Sequence, residues 1–179
     1  MTRIRSLTAN ALHRVLLHTR VRDVARAFVG LGSNLGDREA TLRAAVGRLR
    51  GLIGTEVRGV SRFRNTEPVG YLDQPRFLNG AVELETTLSA HELLAALLEL
   101  ERAFGRDRTT SPPQGPRTLD LDLLLYGDDT IADAGLEVPH PRLHERQFVL
   151  EPLAELAPEA VVPGLGTVAA LLTRLQSAP

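Results

Sequence analysis

Neither cysteine nor lysine occurs in the 179 residues of this sequence. Without cysteine there are no disulfides, no thiolate metal sites and no cysteine nucleophile. Without lysine there is no Walker-type phosphate loop and no Schiff-base chemistry. All 21 basic side chains are arginines, so any phosphate would be met by planar guanidinium forks, which suit bidentate contacts. A GC-rich genome is the plain source of such a bias. Aromatic residues make up only 4% of the chain, and no basic sheet face is visible, which argues against an RNA-binding sheet. No apolar run approaches the ~18 residues that a membrane span needs. The net charge of −1 exerts no global pull toward nucleic acid or acidic lipid.

What remains is ordinary globular material, 43% hydrophobic and 24% charged, most naturally folded as one domain. Charge is unevenly placed. Residues 1–26 hold six arginines against Asp23, so this stretch is +5 and the rest of the chain −6. An organelle transit peptide, an upstream start codon or a short helix docked on the domain would each fit that start, and no cleavage-site pattern follows it. We therefore read residues 1–26 as a basic N-terminal extension and 27–179 as the single domain, expected in a bacterial cytoplasm.

Ala27–Gly32 reads as a short buried strand ending in glycines. Asp37 is placed to cap a helix with Leu42, Val46, Leu49 and Ile53 on one stripe. Thr55–Arg64 is rich in strand formers, and Asn65–Pro75 reads as a loop. Phe77–Thr86 alternates with strand period. Ser89 and Glu92 form a capping box before a helix carrying Leu93, Leu97, Leu100 and Phe104. Thr118–Tyr126 is a strand, and short helices fit Glu145–Leu156 and Thr167–Leu175. The order β-α-β-β-α-β suits an α+β fold, a ferredoxin-like α/β/α three-layer sandwich with a mostly antiparallel sheet.

Gly115-Pro116-Arg117-Thr118-Leu119-Asp120-Leu121-Asp122-Leu123 holds the sharpest chemical signal. Alternation along a strand points Asp120 and Asp122 the same way, with Cα atoms ~7 Å apart. Aspartate is disfavoured in strands, so two on one face beside a leucine run is a local cost. Mg²⁺ takes hard oxygen ligands and usually keeps one or two protein carboxylates. Two can hold a pair of ions ~3.5–4 Å apart around a transferring phosphoryl group. Like charges so placed also repel until metal arrives. Spacing alone is equally compatible with a solvated outer strand face. Arg106, Arg108 and Arg117 lie upstream of the pair and Arg142 and Arg146 downstream, where they would neutralise a triphosphate. Gly30-Leu31-Gly32 is not a dinucleotide fingerprint, because position 35 is leucine. His140 and His144 have zinc-helix spacing, but Pro141 separates them and no acidic ligand set is evident.

Six segments taken together, Gly32–Asp37, Thr66–Gly70, Asp73–Asn79, Gly105–Arg108, Gly115–Asp122 and Val138–Arg142, resemble the 6-hydroxymethyl-7,8-dihydropterin pyrophosphokinase family of folate synthesis. The resemblance runs from about Phe28 to Leu175. It implies pyrophosphate transfer from ATP to the pterin, leaving AMP, with two Mg²⁺ held by Asp120 and Asp122. It implies that Thr66, Val69 and Gly70 meet the pterin through a loop and that Asn79 hydrogen-bonds its ring. Phe77 and Phe148 would be aromatic walls there. Glu101, Arg106, Arg108, Arg117, His140 and Arg146 would surround ATP, with Arg106 and Arg117 also catalytic. The implied partners are these two small molecules, not nucleic acid or membrane, with the protein a monomer or weak homo-oligomer.

Two departures from the family pattern stand out. Before Gly115 the family usually has a basic residue, often followed by an aromatic one. Here Pro112-Pro113-Gln114 stand in a loop one residue longer, which changes the expected lid and removes one phosphate contact. Pro141 stands where some members carry a tyrosine. A catalytically weak nucleotide- or pterin-binding module is the alternative reading. The intact Asp120, Asp122, Arg117 and Asn79 favour an enzyme.

Overall fold

The computed structural model describes residues 23–106 and 114–178. Most of the basic extension (residues 1–22), Arg108 and Pro112-Pro113 lie outside the described residues. The central sheet runs β2 (Thr55–Val60), β4 (Phe77–Thr86), β1 (Ala25–Ser33), β5 (Asp120–Tyr126), with β3 (Arg64–Thr66) also paired to β4. Every pairing in it is antiparallel. With the two long helices α1 (Arg38–Arg50) and α2 (Ala90–Ala103) crossing between strands, this is the expected ferredoxin-like βαββαβ arrangement.

Strand alternation sends β1, β4 and β5 residues to two different layers. Ala27, Val29, Leu31, Leu78, Val82, Leu84, Leu121 and Leu123 pack with Leu42, Ala45, Val46 and Leu49 of α1 and Leu93 and Leu97 of α2. Burial of this aliphatic set is the main drive for the layer, at roughly 25 cal/mol per Å² of apolar surface. The other face carries a smaller cluster. There Phe28, Leu124 and Leu125 meet Leu150 and Leu153 of α3 (Gln147–Leu156) and Val168 and Leu171 of α4 (Val168–Gln176). A register shift between Phe28 and Val29 lets the successive Leu124 and Leu125 both join that cluster.

The predicted caps hold. Asp37 accepts from Ala40 N at 3.0 Å, and Ser89 and Glu92 cap α2 reciprocally. Ile53 departs from its expected stripe and is 91% exposed. α1 ends at Arg50 with Gly51 as cap, so the chain has left the helix before Ile53 can follow Leu49. Asn65 and Thr66, expected in a loop, lie in β3. Two small hairpins, β6 (Ile131–Asp133) with β7 (Leu136–Val138) and β8 (Val161–Val162) with β9 (Gly166–Thr167), and a 3-10 turn at Leu143–Glu145 complete the described elements. No helix among the described residues is long and apolar enough to cross a membrane.

Candidate active site

Asn79 on β4, Gly32 on β1 and Asp120 on β5 lie opposite one another in a row across three strands. Ala81, Gly30 and Asp122 form the next row. Directly opposite residues in an antiparallel sheet share a face, so both carboxylates stand beside two glycines on one side of the sheet. A Cβ on Gly32 would fall 2.8 Å from Asn79 Oδ1 and 3.5 Å from Asp120 Cβ. Glycine there is what lets an amide and a carboxylate share one row.

Above these rows is a groove of about 660 Å³, open to solvent. Its floor is Gly30, Leu31 and Gly32. Asp120, Asp122, Arg117 and Arg146 line the charged part. Thr66, Val69, Phe77, Asn79 and Gln114 line the mainly neutral part, with Glu67 among them, and Phe148 and Val149 reach in from α3. Of the expected residues, Thr66, Val69, Phe77, Asn79, Arg117, Asp120, Asp122, Arg146 and Phe148 line this groove, and the two aspartates are half-buried in it.

The two carboxylates differ in state. Asp120 is paired with Arg106, and with Arg117 at 2.7 Å. Burial pushes its pKa up, but Arg117 and Arg106 outweigh burial and hold it below the usual carboxylate value. Asp122 has no such pair among the described residues. Burial, then the Asp120 charge, pushes it up to about 6. The expected repulsion shows at Asp122, while Asp120 is neutralised by guanidiniums.

Arg106 also donates to Glu101, whose carboxylate accepts from Leu121 N at 2.8 Å. Glu101 is 1% exposed and sits beneath the groove, gripping Arg106 and β5 instead of lining the cavity. Arg117 stacks 4.8 Å from the Phe77 ring centroid, and Arg146 5.7 Å from that of Phe148. The Nε atoms of both arginines are buried with no hydrogen-bond partner, donors left over for an anion. Burial and then Arg142 lower the pKa of Arg146. His140 stands outside the lining residues. Its N–H donates to Leu124 O at 2.9 Å, and burial followed by Arg146 lowers its pKa.

On the neutral side Asn79 Nδ2 donates to Thr66 Oγ1 at 2.7 Å, which orients the amide and leaves Oδ1 over Gly32. Gly70 has φ +86° and packs against the Gln114 amide; the backbone conformation favours glycine. Gln114 itself has φ 60°, a rarely populated region for a side-chain-bearing residue.

Asn34 was not among the expected site residues. It is 2% exposed. Its Oδ1 accepts from Arg117 N at 2.8 Å, its N donates to Arg117 O at 3.1 Å, and its Nδ2 donates to Gln74 Oε1 and Pro75 O. One buried amide therefore ties the charged strand entry to the loop before Phe77. An amide directly after a glycine-rich strand end was the available signal, since asparagine buried in such a place must find partners.

The profile of the 7,8-dihydro-6-hydroxymethylpterin-pyrophosphokinase (HPPK) family matches residues 28–158. The chain belongs to this family. A 2-amino-4-hydroxy-6-hydroxymethyldihydropteridine pyrophosphokinase of Bacillus subtilis is 49% identical over 130 residues, covering 73% of this chain and 77% of the relative. The Pseudomonas aeruginosa protein of the same name is 42% identical over 140 residues, 78% of this chain and 85% of the relative. Among solved structures, wild-type Plasmodium falciparum HPPK-DHPS with pterin and p-hydroxybenzoate superposes with TM-score 0.69 at 14% identity. That match covers 89% of this chain but 44% of the longer one, so it speaks to the fold alone. ATP is the co-substrate of the HPPK family.

Proposed function

We propose that this groove transfers the β,γ-diphosphate of ATP to 6-hydroxymethyl-7,8-dihydropterin, giving the pterin diphosphate and AMP for folate synthesis. The observation that carries this reading is the division of one groove into a carboxylate–arginine half and an amide–aromatic half that share the Gly30–Gly32 floor.

In this reading the pterin lies in the neutral half. Asn79 offers hydrogen bonds to a heterocycle rich in donors and acceptors, and Phe77 and Phe148 supply flat apolar walls. The triphosphate lies along Arg117 and Arg146, with Arg106 behind and His140 at its margin. Two hard carboxylates that also meet phosphate oxygens fit Mg²⁺, which takes few protein ligands; Asp120 and Asp122 would hold two ions. Bound there, the ions supply positive charge against the polyphosphate. Arg106 and Arg117 then exchange Asp120 for phosphate, so each charge of the ligand-free site finds a new counter-charge. The hydroxymethyl oxygen bonds to the β-phosphorus as the bond from that phosphorus to the α,β-bridging oxygen breaks; AMP leaves with that oxygen and its electron pair, and the hydroxyl proton passes to solvent. Positioning supplies most of the rate, with no covalent enzyme intermediate.

Residues 27–179 suffice for this as one domain, a monomer or weak homo-oligomer in a bacterial cytoplasm, acting on small molecules and not on nucleic acid. The test is phosphorus NMR of the protein with ATP, Mg²⁺ and hydroxymethyl-dihydropterin. Equimolar AMP and pterin diphosphate are expected, and both vanish when Mg²⁺ is chelated. ADP with a pterin monophosphate would sink the reading.

A further inference from the structure

β3 is only three residues long and, among the described residues, pairs with β4 alone, yet it presents Thr66 to Asn79. Side chains from elsewhere hold it. Arg38 Nη1 donates to Asn65 Oδ1 at 2.9 Å and to Arg76 O at 2.8 Å. The other hold comes from α3. Glu155 accepts from Arg62 N at 3.0 Å, from Arg62 Nε at 3.3 Å and from Arg64 Nη2 at 2.7 Å. Glu151, one turn earlier, lies 3.8 Å from Arg64 Nε. Glu155 is outside the groove, but it stands two turns beyond Phe148 on the same helix.

We propose that Glu155 is a positioning residue that sets the width of the slot between the helix bearing Phe148 and the strand bearing Thr66. The slot is the one assigned above to the flat pterin ring, and the inference rests on that reading. An isolated exposed ion pair would contribute little. Glu155 is different in kind. Its one carboxylate, though exposed, gathers a main-chain N–H and two guanidiniums, a charge-assisted network instead of a single pair. Burial pushes its pKa up, yet the Arg62 amide and Arg64 outweigh that and hold it below the usual value, so the clamp is charged across the neutral range. Losing it would free β3 to move away from α3 while leaving β5 and its carboxylates where they are. Small shifts of a binding wall cost affinity steeply.

The experiment measures dissociation constants of the full chain for hydroxymethyl-dihydropterin and, separately, for MgATP, together with melting temperature. Glu155→Ala is expected to weaken pterin binding by at least about tenfold while MgATP binding stays within about twofold. Glu155→Gln, whose amide oxygen still accepts from Arg62 N–H, falls between it and wild type. Leu49→Ala, in the opposite layer, serves as a variant of comparable melting loss and leaves both constants near wild type. Should Glu155→Ala fail to fold, Arg64→Ala cuts the clamp from its other side and carries the same expectation. Pterin binding unchanged in the folded clamp variant overturns the proposal. So does equal weakening of both substrates that Leu49→Ala reproduces. A wild-type chain that binds no pterin overturns the functional reading, and the clamp with it.

Discussion

The two faces of the central sheet are made by alternate residues of the same three strands, yet they are built for different ends. One face is mostly leucine, valine and alanine, sealed by α1 and α2. The other starts the same way at Phe28, Leu124 and Leu125 under α3 and α4, then changes within two residues to Gly30, Gly32, Asn79, Asp120 and Asp122. A single strand such as β5 therefore carries Leu121 and Leu123 into a dry core and Asp120 and Asp122 into a groove. The lesson is that the sealed face supplies stability while the open face spends some of it. Glycines remove packing, and two carboxylates are held where burial disfavours their charge.

Breaking the comparison at its sharpest point removes a carboxylate. Asp120→Ala and Asp122→Ala are each expected to lower turnover by at least about a thousandfold under the metal role assigned to them. Near-normal turnover of either variant at saturating Mg²⁺ would refute that role. Only Asp120→Ala should also destabilise the protein, by about 1–3 kcal/mol, because it leaves Arg117 and part of Arg106 without a counter-charge.

On the sealed face the balance is reversed. Leu49→Ala removes a fully buried side chain from the α1 layer and is expected to cost about 2–5 kcal/mol in chemical denaturation. Turnover per folded molecule should change by no more than a few-fold. A loss of turnover as large as that of the aspartate variants would mean that the two faces are not separable.

Much of this division was legible before any coordinates. Period-two alternation across Phe77–Thr86 and Thr118–Tyr126 separates the faces, and the Asp120–Asp122 spacing puts both acids on one of them. Periodicity reports which way a side chain points, not what it meets there. The Arg106 pair to Asp120 joins residues 14 apart that no local pattern relates. Asn34 and Glu155 acquire their partners 40 to 93 residues away, through contacts that exist only once β1, β3 and α3 are assembled. Ile53 fails for a local reason: helical spacing continued past Gly51, where the helix itself stops.

A subtler way to sharpen the contrast is to give the open face one methyl group. Gly32→Ala places a Cβ 2.8 Å from Asn79 Oδ1 but 3.5 Å from Asp120 Cβ, so Asn79 must give way while Asp120 need not. Pterin affinity is expected to fall about tenfold, with MgATP affinity changed by less than about threefold. Titration of each substrate separately checks this, and equal losses would count against the two-half division of the groove.

The smallest expected effect is a pH dependence, and it isolates what the open face costs. The Asp122 carboxyl is pushed up to about 6 in the folded protein by burial and the Asp120 charge, against 3.8 for the free side chain. Below about pH 4 it is protonated in both folded and unfolded states and contributes nothing. Between about pH 4 and 6 the unfolded chain has released this proton and the folded one keeps it, so unfolding releases a proton. Stability must therefore fall as pH rises through that window and stay lower above it. The full difference is on the order of 1–3 kcal/mol. Asp122→Asn removes the titration and keeps the shape. Denaturation of wild type and variant from pH 4 to 7, without metal, should show the variant gaining steadily over wild type up to about pH 6 and then no further. A difference that is flat across this range, or one that shrinks, would show that Asp122 ionises as freely in the fold as in water.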